Sequence, residues 1–120
     1  MDNRGLTQHD RRIYRLQAEI CRAIANPVRL EILHVLGSGE VAFGELLESL
    51  QVSKTNLSQH LAVLRKSGIV SSRREGVNTF FCLAHPEIET ACAAVGQVLA
   101  IRLRQMEEQA RDLLNGVLQP

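Results

Sequence analysis

The sequence predicts a mainly helical α+β fold of about five helices and a two-stranded hairpin, and three observations carry that prediction. Apolar residues recur at steps of three and four along most of the chain, the rhythm of amphipathic helices. That rhythm stops after Gly68, where two β-rich runs flank the turn Glu75-Gly-Val-Asn78. Asn26-Pro27, Gly37-Ser-Gly39 and Gly68 break the helical segments at short intervals. A chain of 120 residues is one domain's length, residues 1–120, and buries only a modest core, so association with a second copy is expected to supplement it.

Met1 to Thr7 are polar with a glycine and read as a loose end. From about His9 to Ala25, Ile13, Leu16, Ile20 and Ile24 share one face, which predicts a first helix. Asn26-Pro27 ends it, because the residue before a proline is pushed out of the helical region. Pro27 then starts a second helix that runs to Leu36, with Val28, Ile32, Leu33 and Leu36 as its buried stripe. Arg29 lies early on that helix, placed either to hold a neighbouring carboxylate or to reach a phosphate, the structural role being preferred. Phe43 to Leu50 reads as a short third helix with Leu46, Leu47 and Leu50 inward, and Gln51-Val-Ser53 is a brief turn.

The fourth helix, about residues 54–67, organises the rest. Ser53 is a good N-cap, and Gly68 suits the left-handed residue that closes a helix. Leu57, Leu61 and Leu64 form its apolar face, opposite Lys54, Thr55, Asn56, Ser58, Gln59 and Arg65. Short hydrogen-bonding side chains of this kind pair with base edges in a major groove, and the free amides of a helix start favour a phosphate. Two helices joined by about three residues, the second polar and basic outside, make a helix-turn-helix. The hairpin over 69–83 is then a wing, with Arg73 and Arg74 as phosphate or minor-groove candidates.

A last helix is predicted over about 86–115 after His85-Pro86. Ile88, Cys92, Val95, Leu99, Leu103, Met106, Ala110 and Leu113 follow steps of three and four, close to a coiled-coil seam. So long a stripe exceeds what a small domain can cover, which predicts a homodimer through the terminal helices.

From Gln51 to Arg74 five residues are basic and none is acidic, although the whole chain carries only +1, so positive charge is concentrated on the helix-turn-helix and wing. Aromatic residues are 3% of the chain with no Trp, which excludes the stacking platforms used on single strands and leaves double-stranded DNA as the expected partner. No apolar run nears the roughly 18 residues of a membrane span and no leader pattern is seen, so a cytoplasmic protein without a membrane partner is expected. Three widely spaced cysteines without a C-x-x-C predict reduced thiols. With no nucleophile, base and stabiliser combination and no phosphate-cradling glycine loop, enzymatic activity is not expected.

Ala23-Ile-Ala-Asn-Pro-Val-Arg-Leu-Glu-Ile-Leu33, Ser53-Lys-Thr-Asn-Leu-Ser-Gln-His-Leu61, Leu64-Arg-Lys-Ser-Gly-Ile-Val70 and the wing with Gly76 together closely resemble the ArsR–SmtB family of small winged-helix repressors. The resemblance is strong over about residues 20–83 and weak in the terminal helices. It implies a winged helix-turn-helix homodimer whose recognition helices enter successive major grooves of an imperfect palindromic operator. It also implies repression by occlusion of a promoter, and release by a metal, metalloid or redox signal. Carried onto matching positions, it makes Thr55, Asn56, Ser58 and Gln59 base-reading candidates. His60 matches a family histidine, and its place beside Leu61 suits packing or a phosphate as well as a base.

The sensory sites that the resemblance would bring are not matched. Where many arsenic and cadmium sensors carry Cys-x-Cys, this chain has Glu40-Val-Ala-Phe-Gly-Glu45. Where zinc sensors carry four ligands along the last helix, it has His85 and Glu89, then Gln97, Leu99 and Arg102. A sulfide-sensing pair is also unmatched, with His34 at the second-helix place. Cys21, Cys82 and Cys92 remain as effector candidates. If the first and last helices meet at the subunit seam, Cys21 and Cys92 lie near one another, within or between chains. They are then small buried hydrophobes, ligands for As(III) or another soft metal ion, or an oxidation switch, and no cofactor is assigned. Cys82 alternates with Phe81 and Leu83 and is expected to face out. The competing functional readings are a winged helix used for protein contacts and a regulator that needs no effector.

Overall fold

In the computed structural model, which describes residues 5–118, the elements run α1 (Gln8–Ile24), α2 (Pro27–Leu36), β1 (Val41–Ala42), α3 (Phe43–Ser49), α4 (Lys54–Lys66), β2 (Val70–Glu75), β3 (Asn78–Leu83) and α5 (Glu87–Leu118). α1, α2 and α4 begin where polar side chains satisfy their first amides, whereas α3 follows Ala42 with no side-chain cap. Thr7 Oγ1 accepts from the Asp10 amide at 3.1 Å while Asp10 Oδ2 accepts from the Thr7 amide at 3.0 Å, a capping box. Thr7 is therefore no part of a loose end, and residues 1–4 lie outside the described residues. Asn26 Oδ1 accepts from the amides of Val28 and Arg29 at 2.9 and 3.2 Å, ahead of Pro27 in the first turn of α2.

α4 is closed at both ends. Ser53 Oγ accepts from the Asn56 amide at 3.1 Å. At the other end Gly68 turns left-handed (φ 75), its amide bonding Arg65 O while the Ile69 amide bonds Leu64 O, both at 3.0 Å. Those two bonds make a Schellman motif, and Leu64 and Ile69, which usually touch in that motif, are both buried. The motif aims the chain from α4 straight into β2.

The expected two-stranded wing forms as β2 and β3, and a short third strand joins it in the antiparallel order β1-β3-β2. β2 and β3 pair from Val70↔Leu83 to Glu75↔Asn78, and Gly76 (φ 62) takes the first place of the two-residue turn, the glycine position of a type II′ hairpin. β1 pairs through Val41↔Phe81 and Ala42↔Phe80. Two residues are too short for a period-2 pattern, so β1 exists through its partner strand and carries no local signal.

The core of the unit that ends at Ile88 lies between α2, α3, α4 and one face of this sheet. Ile32, Leu33, Leu36, Leu46, Leu50, Leu57, Leu61, Leu64, Ile69, Val70 and Phe81 are buried, and Phe43 meets Phe81 with ring centroids 6.3 Å apart. Val28 and Leu47, expected inside, are half-buried. α1 buries only Ala23, and its apolar residues Ile13, Leu16 and Ile20 are exposed.

From Glu89 the chain forms a second unit, a single helix. At 32 residues α5 is about 48 Å long, with Arg111 and Glu107 paired one turn apart at 3.3 Å. Val95, Val98, Leu99, Ile101, Leu103, Met106, Leu113 and Leu114 are exposed along it. Among the described residues no helix is long and apolar enough to cross a membrane.

Candidate nucleic-acid interface

α4 divides as its sequence requires. Leu57, Leu61 and Leu64 are buried, which turns Lys54, Thr55, Asn56, Ser58 and Gln59 outward. All five are exposed, and their side chains have no hydrogen-bond partner among the described residues. Ser53 differs from them: its oxygen already accepts the Asn56 amide, so its first duty is to the helix.

Along the helix the outward face continues through Ala62 to Arg65 and Lys66. These three residues, with Val70, Ser71 and Ser72 from β2, line a shallow depression of about 550 Å³. Two cations and two hydroxyls line it and no carboxylate does, a lining whose chemistry suits phosphate. The cations in the last turn also complement the negative end of the helix.

Arg29 ties α4 to α1 and α2. Its Nε donates to Ala23 O at the end of α1 (2.6 Å), and its Nη1 lies 3.3 Å from His60 Nδ1. Guanidinium has donors only, so in this contact His60 Nδ1 is the acceptor. Arg29 is structural, but its partners are a carbonyl and an imidazole, neither of the two uses weighed from the sequence. A carboxylate is replaced here because a helix C-terminus already presents an orphan carbonyl. His60 is half-buried and belongs first to this tie, 31 positions away in the sequence, which no local pattern could reveal.

On the wing the two arginines part company. Arg73 Nε and Nη2 bond both oxygens of Glu40 at 2.9 and 2.7 Å, and Nη1 bonds Glu75 Oε2 at 2.7 Å. Its guanidinium also lies 4.6 Å from the centre of the Phe80 ring. The hydrogen bonds to Glu40 and then Glu75 hold Arg73 protonated well beyond its ordinary range, and the Arg73 bond holds the Glu40 carboxyl below the usual one. Arg74 is exposed and has no carboxylate partner among the described residues. Glu40 was not singled out from the sequence, since only the pairing of β1 with β3 brings it to Arg73.

The three thiols are free. Cys21 is exposed on α1, near Tyr14, Gln17, Ala18 and Arg22. Cys82 lies on the strand face opposite buried Phe81, as its alternation predicts, and is half-buried there with its Sγ 3.1 Å from Ser71 Oγ across the β2–β3 pair. Partial burial on α5 pushes the Cys92 thiol up, which lowers its thiolate fraction. Among the described residues no group of three or more His, Cys, Asp and Glu side chains gathers as a metal site.

Comparison with known proteins places this geometry. The profile described as bacterial regulatory protein, arsR family, matches residues 26–72, from the cap of α2 into β2. The uncharacterised HTH-type transcriptional regulator Rv0081 of Mycobacterium tuberculosis is 37% identical over 105 residues, covering 87% of this chain and 92% of that protein. The transcriptional activator HlyU of Vibrio cholerae is 41% identical over 58% of this chain and 65% of its own length. A biofilm growth-associated repressor of Xylella fastidiosa is 32% identical over 73% and 77%. The crystal structure of Rv0081 superposes with a TM-score of 0.70 at 36% identity, covering 78% of this chain and 95% of that one. The solution structure of a homodimeric winged helix-turn-helix DNA-binding domain from Mycobacterium bovis gives 0.73 at 27% identity, covering 86% and 95%.

Proposed function

This chain belongs to the arsR family of bacterial regulatory proteins, and on that premise we propose that it is a dimeric repressor that occludes a promoter by seating two copies of α4 on one face of duplex DNA. One observation carries the reading. Thr55, Asn56, Ser58 and Gln59 are exposed and unengaged among the described residues, on a helix that its leucines hold in one orientation. The dimer is supported by the apolar residues that α1 and α5 leave exposed in a single chain, and by the homodimeric relative. In such a dimer the two recognition helices fall about one duplex turn apart, which predicts an imperfect palindrome as operator.

The test is a titration of the full chain against its own promoter duplex and a scrambled control, at several salt concentrations. Saturable preference for the promoter and a dimeric complex are expected. Equal binding to both duplexes, or a monomer on DNA, defeats the proposal. Arg74→Ala should lower affinity for both duplexes and flatten the salt slope by about one unit, the mark of a phosphate contact.

Release by a soft metal ion, As(III) or oxidation rests on the free thiols. Cys21 is the more available of the two helical ones, being exposed where the Cys92 thiol is raised by burial. Cys21→Ser should abolish release of DNA by As(III), Cd(II) or peroxide. Release unchanged in Cys21→Ser, Cys82→Ser and Cys92→Ser alike would leave a regulator with no thiol effector.

A further inference from the structure

Ala42, Phe80 and Arg73 stand in one row across the sheet, because Ala42 and Arg73 both pair with Phe80 from opposite sides. The guanidinium of Arg73 crosses that row over the Phe80 ring and takes both oxygens of Glu40, the residue just before β1. Its third bond returns to Glu75, beside the Gly76-Val77 turn. One side chain thus touches both edges of the sheet and its middle strand. We infer that Arg73 is a positioning residue of the wing, a strap that holds the hairpin to β1 and masks Glu40 and Glu75, and that it does not itself contact phosphate.

This rests on the reading of the chain as a DNA-binding regulator and assigns its two wing arginines different tasks. The pair of N–H groups that would grip a phosphate in parallel is the pair now on Glu40. Withdrawing it would bare two carboxylates next to a polyanion, which opposes binding. The strap also supplies what β1 lacks. With two paired residues, β1 has little ladder of its own, and the bond to Glu40 fixes its leading end. A planar fork stacked on a ring is an arginine's geometry and not a lysine's. As an exposed ion pair the strap adds little to global stability, so its effect should appear in orientation.

The experiment compares Arg73→Gln, Arg73→Lys and Glu40→Gln by duplex binding across a salt series and by amide exchange of the free full-length chain. A strap predicts that all three weaken operator binding by about three- to five-fold, with the salt slope unchanged and the lysine no better than the glutamine. It also predicts faster exchange around Ala42 and Phe80 in each variant without DNA. A phosphate contact predicts the reverse: Arg73→Gln flattens the slope by about one unit, Arg73→Lys recovers binding, and Glu40→Gln tightens it by removing a negative charge. Any of those three results, or unchanged binding in Glu40→Gln, overturns the strap. If the wild-type chain binds no duplex, the regulator reading fails by itself, and the exchange data alone decide whether Arg73 holds the sheet.

Discussion

α4 and the two terminal helices carry the same kind of apolar stripe, yet they end in opposite environments. Leu57 and Leu64 on α4 are 0% exposed, while Leu16 on α1 and Leu99 on α5 are 52% and 56% exposed. In α4 the stripe is answered by α2 and the sheet, so the polar side has one direction to face. In α1 and α5 the stripe remains open in the single chain, which is the behaviour of a surface meant for a second copy. The contrast teaches that amphipathic periodicity shows that a face will be covered and is silent on what covers it.

Mutation of the two stripes should separate them most sharply. Leu64→Ala is expected to cost about 2 to 5 kcal/mol in denaturant unfolding, since it opens a cavity in a closed core. Leu99→Glu is expected to shift sedimentation from dimer to monomer while the methyl resonances of Leu57 and Leu64 keep their folded positions. A dimer of unchanged mass would take α5 out of the interface and break the comparison.

The outer side of α4 gives the next largest effect. Gln59→Ala should weaken operator binding by about 1 to 3 kcal/mol and relax preference at one base position, with no change in melting temperature. A competition series against mismatched operators checks it, and an unaltered preference would mean that this face does not read bases.

Smaller again is the cap that sets α2. Asn26→Ala should cost about 1 kcal/mol, as two amides lose their shared acceptor and Arg29 loses its anchored position beside His60. Loss of stability with unchanged operator affinity would show that the Arg29 tie does not orient α4.

Acidification should give the smallest effect. The folded-state values of Glu40 and Asp10 lie below their ordinary 4.5 and 3.8, Glu40 through Arg73 and Asp10 through Thr7. Their contributions are complete above those ordinary values and are lost as pH falls through the depressed ones. Thermal midpoints recorded from neutral pH down to about pH 3 should therefore drop at the acid end, and Glu40→Gln should remove part of the drop.

Much of this was legible in the residues. Ser53, Asn26-Pro27 and Gly68 mark helix ends because capping is local chemistry, read within three or four positions. The base-reading candidates followed from the leucines, since a buried face defines its opposite. β1, the Arg29–His60 tie and the Arg73–Glu40 strap were not legible, because their partners lie 31 to 40 positions apart and meet only through folding.

By itself the sequence determined the helices, their caps, the hairpin and the acid-free outer side of α4, because each depends on neighbours along the chain. The tertiary structure decided which cations are free. Arg73 and Arg74 are adjacent in the sequence, yet the pairing of β1 with β3 brings Glu40 against the first in addition to its strand neighbour Glu75, and a charge acts on DNA only if nothing inside the protein already compensates it.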